Sequence, residues 1–95
     1  MARFLIEVPH AEDLVECAKV VEVFLASGSH FLTHADWGCA DGDHRCWIIV
    51  DVADKREALA IVPPAFRREA HVVGLNSFSM EQIKQILRTH PAPEA

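Results

Sequence analysis

His30–Val52 reads HFLTHADWGCADGDHRCWIIVDV, two runs rich in β-formers on either side of Asp41-Gly42. An Asp-Gly pair between such runs is a strong hairpin signal, because both central residues of a two-residue turn must take positive φ. The stretch predicts strands over 30–38 and 44–52. With Asp41 and Gly42 at the turn, Trp37 faces Cys46, Ala35 faces Ile48, Thr33 faces Val50 and Phe31 faces Val52, so one face is almost wholly apolar. The other face carries His30, Leu32, His34, Asp36, Arg45, Trp47, Ile49 and Asp51. A longer loop, from Gly38 to Asp43, would slip the pairing by one residue and exchange the faces. The apolar regularity of Phe31, Ala35, Ile48, Val50 and Val52 favours the shorter turn.

Working outward, residues 3–8 (RFLIEV) form a strand ended by Pro9. Phe4, Ile6 and Val8 join the apolar face; Leu5 and Glu7 join the mixed one. From Glu12 to about Ala26, Leu14, Cys17, Ala18, Val21, Phe24 and Leu25 recur at three-and-four spacing, which predicts a helix stopped by Ser27 and Gly28. Asp54 with Glu57 opens a short helix through Val62, closed by Pro63-Pro64. Residues 69–76 form the last strand, and Ser79 with Gln82 caps a final helix whose stripe is Met80, Ile83, Ile86 and Leu87. The basic pair Arg67-Arg68 reads as a solvated strand edge. The order strand, helix, strand, strand, helix, strand, helix predicts an α+β chain of the ferredoxin-like βαββαβ type. It has a four-stranded antiparallel sheet and an extra C-terminal helix. Residues 1–90 make one domain and 91–95 a loose tail. Pro9-His10-Ala11 stands where a dinucleotide-binding fold would need its glycine-rich loop.

The chain has 95 residues, 51% of them hydrophobic and 24% charged, with a net charge of -5. Without a basic tract it lacks the footprint of a nucleic-acid binder. Neither a signal-peptide core nor an apolar run of membrane-spanning length is present, which points to the cytoplasm and away from membranes. Three cysteines, an odd number, read as thiols in a reducing compartment.

Leu5, Leu32, Trp47 and Ile49 crowd the mixed face, and a contiguous apolar patch marks an interface. A second copy is the natural cover, giving a homodimer through the sheet face, a dimeric α/β barrel with a small polar cavity. Candidate ligands for a divalent metal, nickel or zinc, are Glu7, His34 and His71, converging from different strands. As strand residues, His30 and His34 would lie roughly 13 Å apart, too far to share an ion. Asp36, Arg45 and Trp47 suit an anionic or aromatic small molecule, and Asp36 with Arg45 equally suits a structural ion pair at the barrel mouth. Cys39 opposes His44 across the hairpin with Cys46 diagonal to it. That set has only three ligands, matches no zinc-ribbon spacing, and places Cys46 in the core. His34 or His71 could act as base and Glu7 as acid, but no nucleophile–base pair follows from spacing.

The stretch GDHRCWIIVDVADKREALAIVPPAFRREAHVVGLNSFS resembles the second half of small bacterial dimeric α/β-barrel proteins. In these a hairpin strand with an aromatic runs into an aspartate-capped helix, a proline-containing loop and a last strand. Muconolactone isomerase is similar in layout, as are small nickel-binding ferredoxin-like proteins, over roughly residues 38–78. The resemblance implies the dimeric barrel and transfers no catalytic or ligand residue. Expected functions are therefore binding of a small ligand or divalent metal, a cofactor-independent isomerase or monooxygenase-like activity, or a dimerisation module without a site.

Overall fold

The computed structural model describes residues 1–90; the expected loose tail lies outside the described residues. The elements are β1 (Ala2–Pro9), α1 (Leu14–Ala26), α2 (His30–Thr33), β2 (Asp36–Trp37), β3 (Arg45–Val52), α3 (Lys55–Ile61), β4 (His71–Leu75) and α4 (Met80–Thr89). Single 3-10 turns lie at Cys39–Asp41 and Pro64–Phe66. The four strands form one antiparallel sheet in the order β2-β3-β1-β4. The chain is α+β and compatible with a ferredoxin-like arrangement. Among the described residues no helix is long and apolar enough to cross a membrane.

Alternation along β1 and β3 decides which side of the sheet is covered. Phe4, Ile6 and Val8 are buried together with Cys46, Ile48, Val50 and Val52. Against them lie Phe24 of α1, Leu32 of α2, Ala58 of α3 and Val62 just beyond it. Trp37 meets the Phe24 ring edge-on at 5.1 Å between centroids. This is the apolar face expected from the hairpin, and the pairing is the expected one: Trp37 opposes Cys46 and Asp36 opposes Trp47.

Two parts of the expectation change. The connection from β2 to β3 is a longer loop, Gly38–His44, and Gly42 alone takes the left-handed conformation there, at φ +84°. Its hydrogen bonds fold it tightly: the Asp41 and Asp43 amides both donate to the Gly38 carbonyl, each at 3.0 Å. The longer loop therefore returns the chain in the same register instead of slipping it. Gly38 is required by close approach, since a Cβ there would lie 2.7 Å from the Asp43 carbonyl oxygen and 2.8 Å from the Trp47 ring.

The second change is at residues 30–33, which form a helical turn instead of the first half of the hairpin strand. Local capping overrides the strand propensity of Phe31 and Thr33. Gly28, at φ +74°, turns the chain. Ser29 Oγ then accepts the Leu32 amide, and Thr33 Oγ1 donates back to the Ser29 carbonyl at 2.9 Å. The turn exchanges the two neighbouring side chains: Leu32, expected on the mixed face, is buried, and Phe31, expected in the core, is exposed. Along α1 the buried stripe is narrower than the sequence suggests, with Cys17 and Phe24 inside and Leu14 and Leu25 outside.

Both capping residues expected for the later helices are in place. Asp54 Oδ1 accepts the Glu57 amide at 2.8 Å, and Ser79 with Gln82 forms a reciprocal capping box. Arg67 is not a solvated strand edge. Its guanidinium donates to the Val62 and Ala60 carbonyls at 2.7 and 2.9 Å and so satisfies the C-terminal end of α3.

Candidate metal centre

At one end of the sheet the pairing of Val8 with Cys46 and of Pro9 with Arg45 brings the end of β1 beside the start of β3. The residue after β1 is His10, whose amide donates to the His44 carbonyl at 3.0 Å. Cys17 sits in the first turn of α1, where the Asp13 carbonyl accepts its amide at 2.8 Å and fixes the helix start. Cys39 and His44 stand on the two sides of the β2–β3 loop. Three separate parts of the chain thus deliver two thiols and two imidazoles to one place.

The ligand atoms of His10, Cys17, Cys39 and His44 all lie within 4.8 Å of one another. His10 Nε2 is 3.1 Å from Cys17 Sγ and 3.0 Å from Cys39 Sγ, and the two sulfurs are 3.3 Å apart. Four ligands at tetrahedral corners around zinc, with bonds of about 2.0–2.3 Å, are separated by about 3.3–3.8 Å. The three short separations must widen by up to about 0.8 Å, and any as long as 4.8 Å must close, to admit an ion. The Nδ1 atoms of His10 and His44 are both buried without a hydrogen-bond partner. An unpaired buried polar atom is costly, so the two rings have a polar capacity that the protein alone does not fill.

Electrostatics favour the ligating forms unequally. Burial, reinforced by the nearby His44, lowers the pKa of His10 and keeps its imidazole neutral, the form a metal needs. Burial and the Cys17 thiol push Cys39 up, so without a cation it is held as a thiol. Cys46 is pushed up to about 12, chiefly by burial, and belongs to the core and not to this cluster.

From sequence, Cys39 and His44 are an opposed pair with Cys46 diagonal to them, a set put aside because Cys46 reads as core, where the structure places it. The missing partners carried a signal. His10 follows the proline that ends β1, and Cys17 opens the inward stripe of α1, so both belong to the end of the sheet where the hairpin loop lies.

The residues expected on the mixed face are only partly brought together. Glu7 Oε1 accepts from Arg45 Nη1 at 2.9 Å and from Trp47 Nε1 at 3.0 Å, while His71 Nδ1 stands 3.9 Å from Glu7 Oε2. Arg45 also forks onto Asp43, and its guanidinium carbon lies 5.4 Å from the centre of the Trp47 ring. Asp36, beside Trp47 in the register, is exposed. Arg45 thus already has two carboxylate partners. His34 is elsewhere: as the C-cap of α2 it turns Nδ1 to the His30 carbonyl at 2.7 Å. Helical spacing also puts the His30 and His34 rings 4.4 Å apart between centroids, not two pleats away. Glu7, His34 and His71 therefore do not converge, and among the described residues the one group of three or more metal-capable side chains is His10, Cys17, Cys39 and His44.

Comparison with protein families, with curated proteins and with solved structures returned no match for this chain.

Proposed function

We propose that this chain is a ferredoxin-like domain that binds a zinc-class divalent ion through His10, Cys17, Cys39 and His44. The observation that carries the reading is the convergence of these four ligand atoms within 4.8 Å from positions spread over 35 residues of sequence. Two sulfurs and two imidazole nitrogens in a compact set match zinc better than nickel, whose divalent ion prefers square-planar nitrogen and oxygen donors. All four ligands come from the protein, the pattern of a structural and not a catalytic site. The ion would tie the β1–α1 junction to the β2–β3 loop.

The test is titration of reduced, metal-free protein with cobalt(II), followed by displacement with zinc(II). Tetrahedral sulfur and nitrogen ligation gives intense visible cobalt bands at one equivalent. Cys39→Ser and His44→Ala should each weaken zinc binding roughly a hundredfold or more, since loss of a supporting second-shell contact alone costs about ten- to a hundredfold. Weak octahedral cobalt spectra, or zinc binding unchanged in Cys39→Ser, would overturn the reading.

A further inference from the structure

Two apolar surfaces of this chain have no partner among the described residues. The first is the uncovered face of the sheet, where Leu5, Trp47, Ile49, Val73 and Leu75 are neighbours in the register of β3, β1 and β4, and Ile49 is 62% exposed. A sheet is stable when both apolar faces are covered, and here only one is. The second is α4. Met80, Ile83, Ile86 and Leu87 line one side of it, yet none of its residues is buried, and Leu87 is 62% exposed. The helix extends from the body: the radius of gyration is 17.5 Å and the longest dimension 53 Å, against a radius of about 12 Å for a compact domain of this length.

The two surfaces fit one another. A ten-residue helix is about 15 Å long and 10 Å wide with side chains. The apolar patch runs about 13 Å along β1 from Arg3 to Glu7 and about 10 Å across β3, β1 and β4. Lys84 borders the helix stripe, where Arg88 is paired with Glu81 at 3.5 Å, and the exposed carboxylates Asp36 and Asp51 border the patch on its β2–β3 side, Asp51 opposite Arg3 in the register. A helix carried outward from the edge strand β4 is placed to reach another molecule. We propose that α4 of each chain lies on the open sheet face of a second copy, in a reciprocal dimer. Two such contacts related by a twofold axis bring the buried area to the roughly 1,200–2,000 Å² of a stable interface, which a single helix contact does not reach. The proposal is independent of the metal centre.

Light scattering on the full chain tests it. The expected mass is twice the 10.6 kDa of one chain. Ile49→Glu on the sheet and Leu87→Glu on α4 alter exposed positions and leave folding intact, as circular dichroism would check. Each should raise the dimer dissociation constant about a hundredfold or more, because each change occurs twice in the symmetric dimer. A monomeric parent chain would overturn the proposal by pointing to closure of α4 on its own sheet. Dimers that persist in Leu87→Glu but not Ile49→Glu would point to sheet-on-sheet pairing, and dimers that persist in Ile49→Glu would remove the sheet from the interface.

Discussion

Cys17 and Cys39 hold their sulfurs 3.3 Å apart although twenty-two residues separate them in sequence. Their thiols meet because α1 begins over the same end of the sheet at which the β2–β3 loop turns back. Small rearrangements can therefore turn the pair either into metal ligands or into a disulfide.

Hydrogen peroxide should oxidise the metal-free protein to an intramolecular disulfide. One thiol, reacting as its thiolate, is first converted to a sulfenic acid, its proton leaving with the peroxide's hydroxide as water; the second thiol attacks that sulfur and releases another water. The mass falls by two hydrogens, and peptide mapping should join Cys17 to Cys39 while leaving the buried Cys46 reduced. Zinc bound at these sulfurs should slow the reaction. An equal rate with and without zinc would mean that the ion does not use them.

Acid should weaken the metal-free fold through His10. Burial first, and His44 second, hold its pKa below the ordinary 6.5. As pH falls the unfolded chain takes up this proton before the folded chain does. The stability contributed by the neutral ring is complete above about pH 6.5 and is lost as pH falls toward the folded-state value. Thermal unfolding of metal-free protein should show a midpoint that declines below that pH, and His10→Gln should flatten the decline. A His10→Gln profile parallel to the parent's would assign the acid sensitivity to another group.

Glu7 is a structural acceptor on the open sheet face. Replacing it by Ala leaves Trp47 Nε1 without its acceptor and Arg45 with Asp43 alone. The Arg45 side chain is 42% exposed, so the ion pair is partly screened. The expected loss is about 1 kcal/mol, that of an ordinary hydrogen bond. Denaturant unfolding measures it, and Glu7→Gln should recover part of the loss by keeping an oxygen acceptor for the indole. A loss beyond about 3 kcal/mol would imply a larger network than these two donors.

The uneven legibility of the sequence has physical causes. Strand alternation in β1 and β3 is a period-two signal over eight residues each, and it identified the buried set from Phe4 to Val52 and the pairing of Trp37 with Cys46. Residues 30–33 failed because their conformation is set by side-chain oxygens of Ser29 and Thr33 bonded to backbone, which hydrophobic periodicity does not report. That error carried His34 onto a sheet face where it does not lie. The metal cluster was half visible for a different reason. Cys39 and His44 are brought together by one loop, whereas His10 and Cys17 join them only through the packing of β1 and α1, and no spacing rule spans such a distance in sequence.

Two glycines of the β2–β3 loop separate the roles of space and backbone conformation. At Gly38 a Cβ would press on the Asp43 carbonyl oxygen at 2.7 Å and on the Trp47 ring at 2.8 Å. The carbonyl is backbone and cannot swing aside, so Gly38→Ala must move the chain next to Cys39. The expected cost is about 1–3 kcal/mol, as for overpacking a tight site, with a clear fall in zinc affinity because Cys39 is displaced relative to Cys17. Gly42 has nothing within 4 Å of its would-be Cβ but sits at φ +84°. Gly42→Ala meets only the left-handed penalty of about 1–2 kcal/mol, and the ligands keep their positions. Denaturant unfolding and zinc titration of both variants check this. Similar stability losses with zinc affinity reduced only in Gly38→Ala are expected. Equal loss of affinity in both would show that zinc binding depends on the stability of the loop as a whole, not on the Gly38–Asp43 approach that sets the position of Cys39.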